Sequence, residues 1–144
     1  MSEATLEGRV RILLVEDNPA DVHLLRRALA HAGLDCELTV IDDGADALAM
    51  VRQGGQFSPV LDLAILDLNL PKHSGMEVLE EMRSSQTFAK LPVIILSSSS
   101  SPPDRARSEE FGVRRYIVKP PDLEEYLRIG WDVKELLVEC RTQG

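Results

Sequence analysis

Four short apolar runs of this chain each end at a residue that carries chemistry, and this arrangement restricts the fold more than any other feature. The runs are residues 11–15, 61–66, 91–96 and 116–118, and they lead into Glu16-Asp17, Asp67, Ser97 and Lys119-Pro120. Apolar runs without alternation are typical of parallel strands buried on both faces. Because parallel strands end at one edge of a sheet, we expect these polar groups to lie together where ligands bind in open α/β proteins.

Helix-start signals stand between the apolar runs. A cap residue followed by proline or by early acids marks the starts at Asn18, Asp43, Ser74, Ser101 and Asp122. The pattern predicts strands at 10–15, 36–41, 62–67, 92–97 and 115–119, with helices at 18–33, 43–54, 74–85, 101–112 and 122–140. This alternation predicts an α/β fold of the flavodoxin-like (βα)5 type, a doubly wound five-stranded parallel sheet in the order 2-1-3-4-5. We expect one domain over 9–141 and an N-terminal tail over 1–8.

Charge and composition limit the partners. The formal net charge of −8 argues against a nucleic-acid-binding face. No apolar run is long enough to cross a membrane. The polar N-terminus is unlike a secretory signal. Cys36 and Cys140 have no metal-ligand spacing and indicate reduced thiols in a cytoplasmic protein.

The acidic residues at the strand ends predict a metal site. Two carboxylates about 4 Å apart repel by about 4 kcal/mol at an effective dielectric of 20, and a bound cation relieves this. Oxygen ligands without His or Cys favour Mg²⁺. Glu16, Asp17 and Asp67 are therefore candidate metal ligands, although Glu16 could also act through water or be merely solvated. Asp67 is the candidate nucleophile, since aspartate forms acyl phosphates. Lys119 would supply positive charge to the transferred group, and Ser97 a hydrogen bond.

This order of residues resembles the receiver domain of two-component response regulators over about residues 9–140. Ser97 follows Asp67 by 30 positions and Lys119 by 52, as is typical of that family. The resemblance implies that Asp67 is the phosphoacceptor, that the Asn69 backbone carbonyl joins the Mg²⁺ ligands, and that Ser97 and Tyr116 act as the switch. Ser74 is a departure, because the family usually has Asp there.

The resemblance also implies partners. A histidine kinase or a histidine phosphotransfer protein would supply the phosphoryl group. Residues 40–44 and 116–120, with Trp131 in a long last helix, are similar to single-domain regulators of phytochrome-type kinases. The signal is expected to leave through helix 4, strand 5 and helix 5, since the sequence ends after helix 5, and a homodimer through that face is plausible. Tyr126, Leu127 and Trp131 form a candidate patch for a partner, and the alternative is that some of them pack on the sheet.

Two other functions fit parts of the pattern. A phosphatase of the haloacid-dehalogenase type also uses an Asp nucleophile and Mg²⁺, but it needs a second Asp two positions later, where this chain has Asn69, and a cap domain. A pseudo-receiver would have the same fold with an inactive site. We expect a receiver that catalyses only its own phosphoryl transfer and dephosphorylation and is otherwise not an enzyme.

Overall fold

Five parallel strands form one sheet in the order β2-β1-β3-β4-β5, as the sequence predicts. The computed structural model describes residues 9–54 and 60–142, so the predicted tail over 1–8 lies outside the described residues. The strands are β1 (Val10–Val15), β2 (Cys36–Ile41), β3 (Leu63–Leu66), β4 (Val93–Ser97) and β5 (Arg115–Val118). β1 and β3 are neighbours, which brings the ends of these two strands to the same crevice.

Five helices connect and follow the strands. They are α1 (Pro19–His31), α2 (Gly44–Gln53), α3 (Gly75–Ser84), α4 (Pro102–Glu110) and α5 (Leu123–Thr142). The predicted caps are present: the Asn18 side chain accepts a hydrogen bond from the backbone N–H of Ala20, and Ser74 and Glu77 form a capping box. These side chains satisfy backbone N–H groups that the first turn of a helix leaves unpaired.

The sheet separates two apolar layers. One layer joins the sheet to α1 and α5 through residues such as Leu25, Leu29, Ile129 and Val133. The other joins it to α2 and α3 and includes Val51, Val78, Leu79 and Met82. β3 and β4 are buried along their whole length, which explains why their sequences are apolar without alternation.

Gly130 allows α1 and α5 to pack in close contact. A Cβ atom at this position would lie 1.9 Å from the backbone carbonyl oxygen of Ala28 on α1. Nearby, the Lys134 ammonium donates to the backbone carbonyl oxygen of Ala32 at 3.1 Å. The glycine inside α5 is therefore a close-approach residue between two helices.

The predicted patch on α5 is wrong for Tyr126. Its side chain is 3% exposed and belongs to a buried stripe that continues through Ile129 and Val133. Trp131 is 51% exposed. The helical period places Tyr126 and Trp131 on different faces, so aromatic character alone did not identify the exposed side.

Candidate functional site

The ends of β1, β3 and β5 bring two carboxylates and one ammonium into direct contact. Lys119 Nζ lies 2.9 Å from Glu16 Oε1 and 3.0 Å from Asp67 Oδ2. The Glu16 and Asp67 side chains are 2% and 5% exposed. Backbone hydrogen bonds fix the strand ends: the Asp67 N–H donates to Val15, and the Lys119 N–H donates to Ser97. The sheet itself therefore sets the geometry of these charges.

Glu16, Asp17 and Asp67 form an acidic trio. Each offers a carboxylate oxygen, and these oxygens lie within 4.8 Å of one another. Asp17 is exposed, whereas Glu16 is buried, which excludes the alternative that Glu16 is merely a solvated surface acid. Burial, together with the charge of Asp67, raises the pKa of Glu16 to about 7, against the opposing hydrogen bonds from Lys119 and Asn18. The donor set and this destabilised negative charge fit a hard divalent cation.

A third carboxylate, Asp21, also binds the Lys119 ammonium. Lys119 Nζ lies 2.8 Å from Asp21 Oδ2, on the first turn of α1. Burial alone would lower the pKa of Lys119, but hydrogen bonds to Asp21, Glu16 and Asp67 raise it above its ordinary value. Lys119 is therefore a firmly charged ammonium with an acceptor for each of its three N–H groups.

The start of α3 packs directly against the Asp67 backbone. A Cβ atom at Gly75 would lie 2.1 Å from the Asp67 carbonyl oxygen. The Gly75 N–H donates to the Leu68 carbonyl oxygen at 3.1 Å. Ser74, which departs from the usual family residue, caps α3 through Glu77. The loop after Asp67 is thus held by a close approach that only glycine permits.

Asn69 connects the end of β3 to the end of β4. Its backbone N–H donates to Asp67 Oδ1 at 3.0 Å. Its side-chain amide donates to the hydroxyl oxygens of Ser97 at 3.3 Å and Ser98 at 3.2 Å. Ser97 is fully buried. These bonds place the predicted hydroxyl group in the same network as Asp67.

The serine loop after β4 links Ser97 to Tyr116 and α4. The Ser97 hydroxyl oxygen accepts from the Ser99 N–H at 3.2 Å. The Tyr116 hydroxyl donates to the Ser99 carbonyl oxygen at 2.8 Å, and the Ser99 hydroxyl donates to Asp104 Oδ2 at 2.7 Å. Arg105 covers the Tyr116 ring, with its guanidinium carbon 4.7 Å from the ring centroid. Tyr116 is thus held on the loop.

Sequence reasoning did not select Asp21 or Tyr126 as site residues. It treated Asp21 only as an acid in the first turn of a helix. A usable signal was present, because α1 begins directly after Asp17 and its first turn must lie at the same edge of the sheet. Tyr126 lies at the corresponding start of α5, the helix that follows β5 and Lys119.

With this geometry established, comparisons with known proteins define the class. Residues 12–129 match the response regulator receiver domain family, and the chain belongs to this family. Response regulator Rcp1 of Synechocystis sp. is 35% identical over 133 residues, which cover 91% of this chain and 90% of Rcp1.

Solved structures agree with this assignment. A structure of the phosphorylated cyanobacterial phytochrome response regulator RcpA is 38% identical, with a TM-score of 0.82 and coverage of 91% of this chain and 95% of RcpA. The Mn²⁺-bound form of Rcp1 is 35% identical, with a TM-score of 0.79 and coverage of 90% and 95%.

The chain is therefore a phosphoacceptor receiver of two-component signalling, the class whose partner is a histidine kinase or a histidine phosphotransfer protein. This confirms the predicted family and decides against the haloacid-dehalogenase alternative. None of the helices within residues 9–54 and 60–142 has the length and apolar character needed to cross a bilayer.

Proposed function

We propose that Asp67 is the phosphoacceptor of a receiver domain that spans residues 9–141. The observation that carries this proposal is the position of Asp67 at the end of a buried strand, where it contacts Lys119 and clusters with the carboxylates of Glu16 and Asp17. Lys119 would pair with the oxygens of the transferred group, and Ser97 would donate a hydrogen bond to one of them. Charge-assisted contacts of this kind stabilise a phosphoryl group as its charge reorganises.

The transfer is a displacement at phosphorus. A carboxylate oxygen of Asp67 attacks the phosphorus of a phosphohistidine, so that an O–P bond forms while the N–P bond breaks. The electron pair of the N–P bond returns to the imidazole nitrogen of the partner. Later attack of water on the same phosphorus restores the Asp67 carboxylate and releases inorganic phosphate, which ends the signal. These two reactions would be the only catalysis by this chain.

Carboxylates of Glu16, Asp17 and Asp67, together with the Asn69 backbone carbonyl, would hold Mg²⁺. Support comes from the 4.8 Å clustering of the three acids and from the Mn²⁺-bound structure of the relative Rcp1. When bound, Mg²⁺ would supply two positive charges that offset the negative charge of the incoming phosphoryl oxygens. Lys119, which contacts both Glu16 and Asp67, would provide a further positive charge.

The switch would run from Ser97 to Tyr116. A phosphoryl group on Asp67 would draw the Ser97 hydroxyl toward it and disturb the bond that Ser97 accepts from Ser99. The Ser99 carbonyl, which holds the Tyr116 hydroxyl, would move with the loop. The face formed by α4, β5 and α5 would then change, through a shift between two conformations that differ by a few kcal/mol.

The partner would be a phytochrome-type histidine kinase, or a histidine phosphotransfer protein linked to one. Support comes from the 38% identity to the phytochrome response regulator RcpA. The net charge of −8 favours protein partners over nucleic acid.

The α4–β5–α5 face could also join two copies of the chain. Cys36 and Cys140 are free thiols, as expected of a protein that works in the reducing cytoplasm.

Intact-mass measurement tests this function. The protein is incubated with acetyl phosphate and Mg²⁺, and we expect one added phosphoryl group that is lost in both acid and base. Asp67→Asn should remain at its original mass, while Asp46→Asn, a matched change on the exposed first turn of α2, should gain the group normally. An unmodified wild type would refute the proposal and favour the pseudo-receiver, and continuous turnover of phosphodonor without a stable adduct would favour a phosphatase.

A further inference from the structure

The ammonium of Lys119 has more carboxylate partners than phosphoryl transfer needs. Its three N–H groups are used by Glu16, Asp21 and Asp67, at 2.9, 2.8 and 3.0 Å. Glu16 and Asp67 belong to the acidic trio, but Asp21 does not. Asp21 therefore has no part in the proposed cation site, and its contact with Lys119 requires a separate explanation.

Asp21 contacts the Lys119 ammonium from an element other than the one that carries the reacting carboxylate. It belongs to the first turn of α1, whereas Asp67 follows β3. Both ends of the contact are largely shielded from water, since the side chains of Lys119 and Asp21 are 14% and 18% exposed. A phosphoryl group on Asp67 would add negative oxygens that also need Lys119. Because the ammonium has three donors, each further phosphoryl oxygen that it binds must replace one of its present acceptors, and Asp21 is the acceptor outside the acidic trio.

Tyr126 offers a destination for a released Asp21 carboxylate. Its hydroxyl, at the start of α5, is buried and has no hydrogen-bond partner within the described ranges 9–54 and 60–142. Buried hydroxyl groups without a partner are rare and call for an explanation. Burial of the hydroxyl raises the pKa of Tyr126, and the negative charge of Asp21 raises it further. The hydroxyl therefore stays protonated. α1 and α5 pack against each other and both begin at the carboxyl edge of the sheet, so the unused O–H lies on the first turn of the helix beside the one that carries Asp21.

We propose that Asp21 is a positioning residue that competes with the phosphoryl group for Lys119, and that Tyr126 hydrogen-bonds Asp21 once Lys119 is released. This inference rests on the proposed function, because it concerns the regulation of the same site. It assigns a role to two groups, the third carboxylate and the unpartnered hydroxyl. Asp21 lies on α1 and Tyr126 on α5, so the exchange carries the state of Asp67 to the packed pair α1–α5.

The exchange predicts opposite effects for two conservative variants. In Asp21→Asn, Lys119 loses its competing anion, so a phosphoryl group or its mimic should bind more tightly. In Tyr126→Phe, a released Asp21 finds no donor, so Asp21 should keep Lys119 and the mimic should bind more weakly. In the double variant the Tyr126→Phe effect should vanish, because no Asp21 carboxylate is left to receive the hydroxyl.

Binding of beryllium trifluoride, a phosphoryl mimic, measures this competition at equilibrium. Affinity is determined by calorimetry at saturating Mg²⁺ for wild type, both single variants and the double variant. We expect about 10-fold tighter binding for Asp21→Asn and about 3-fold weaker binding for Tyr126→Phe, the scale of one charge-assisted and one neutral hydrogen bond. Tyr126→Phe removes a hydroxyl without a partner, so this variant should fold normally, and melting curves verify it.

Asp46→Asn is the matched control, because it removes one charge from the exposed first turn of another helix, outside the acidic trio and not among the Lys119 partners Glu16, Asp21 and Asp67. Two results would overturn the inference: an Asp21→Asn affinity equal to that of Asp46→Asn, or a Tyr126→Phe effect that persists in the Asp21→Asn background. If Asp21 and Tyr126 had only a structural role, both variants would lower the melting temperature, and they would not change the affinity for beryllium trifluoride in opposite directions. If wild type neither binds the mimic nor gains a phosphoryl group from acetyl phosphate, the proposed function itself fails. If wild type does both and the variants do not differ, only the inference fails.

Discussion

Two half-buried cations lie at opposite edges of the sheet, and they are held in different ways. Lys119 follows β5 at the carboxyl edge, where three carboxylate side chains surround it. Arg83 ends α3 and lies near the amino edge, below the starts of β4 and β5. Its guanidinium donates to backbone carbonyl oxygens of the two loops that lead into those strands, at Phe111 (2.6 Å), Leu91 (2.9 Å) and Ala89 (3.2 Å).

The difference in partners separates a reactive group from a structural one. The carboxylates around Lys119 are charged, and their hydrogen bonds raise the pKa of Lys119 despite burial. Neutral carbonyl groups do not offset burial in this way, and the pKa of Arg83 is lowered. Carboxylate side chains can rotate or accept another cation, whereas backbone carbonyls are fixed by the chain. Lys119 therefore has exchangeable partners, and Arg83 clamps two loops permanently.

The sharpest test of this contrast is Lys119→Met, which should have the largest effect on stability. Removing one partner from a buried ion pair typically costs about 3–5 kcal/mol, because the remaining charge is left uncompensated. Here Glu16, Asp21 and Asp67 would be left together without their shared cation. We expect a loss of that size in the free energy of unfolding without Mg²⁺, and a clearly smaller loss with Mg²⁺. Urea unfolding at constant ionic strength measures both values.

Lys90→Met is a suitable control, because Lys90 is exposed and lies outside the site. It should change the unfolding free energy by less than about 0.5 kcal/mol in either condition. If Lys119→Met lowers the free energy of unfolding by the same amount with and without Mg²⁺, Lys119 is a fixed structural cation like Arg83, and the contrast between the two fails.

Arg83→Met should have the second-largest effect, and this effect should not depend on Mg²⁺. Buried carbonyl groups that lose a charged donor typically cost about 1.5–3 kcal/mol, and Arg83 serves several of them. We expect a fall of about 2–3 kcal/mol in the urea-derived free energy of unfolding, with phosphorylation from acetyl phosphate unchanged below the unfolding transition. Arg52→Met is the control, since Arg52 is largely exposed and its described ion pair is a surface contact with Glu81 at 3.5 Å. Slower phosphorylation of folded Arg83→Met would show that the clamp also serves the site.

Local sequence signals predicted the carboxyl edge well. Strand ends follow from apolar runs and helix starts from caps, so the placement of Glu16, Asp67 and Lys119 needed only the parallel order of the strands. β3 and β4 are each one residue shorter at their starts than predicted, and β3 also ends one residue earlier. These are positions where pairing with a neighbouring strand, and not composition, decides the boundary.

Contacts between side chains far apart in the chain could not be predicted from the sequence. The bond between Asp21 and Lys119 spans 98 positions and depends on the rotamers of two flexible side chains. From the sequence, Arg83 is an ordinary basic residue in the last turn of a helix. Its role depends on contacts with the Phe111 and Leu91 carbonyls, which only the folded structure shows. Tyr126 was misplaced because its burial depends on how α5 rotates against the sheet. Periodicity around Ile129 and Val133 contained that information, but the neighbouring exposed Trp131 obscured it.

A third cation refines the comparison, and its removal should have the smallest effect. Arg105 is exposed, and its guanidinium stacks on the Tyr116 ring, with the guanidinium carbon 4.7 Å from the ring centroid. Exposed cation–π contacts contribute about 0.5–1 kcal/mol. Because this contact favours the position of Tyr116 on the serine loop, Arg105→Gln should let beryllium trifluoride bind about 2-fold more tightly.

Calorimetry with Arg107→Gln alongside makes the Arg105 measurement specific. Arg107 lies on the same helix and pairs with Glu80 instead of the tyrosine ring. Arg107→Gln removes the same charge as Arg105→Gln. Equal affinities of the two variants for beryllium trifluoride would therefore mean that α4 responds to net charge alone. A change confined to Arg105→Gln, and absent when Tyr116→Leu is added, would place the effect in the ring contact. Arg105 would then differ from both buried cations: Lys119 exchanges partners, Arg83 keeps them, and Arg105 biases the position of one side chain.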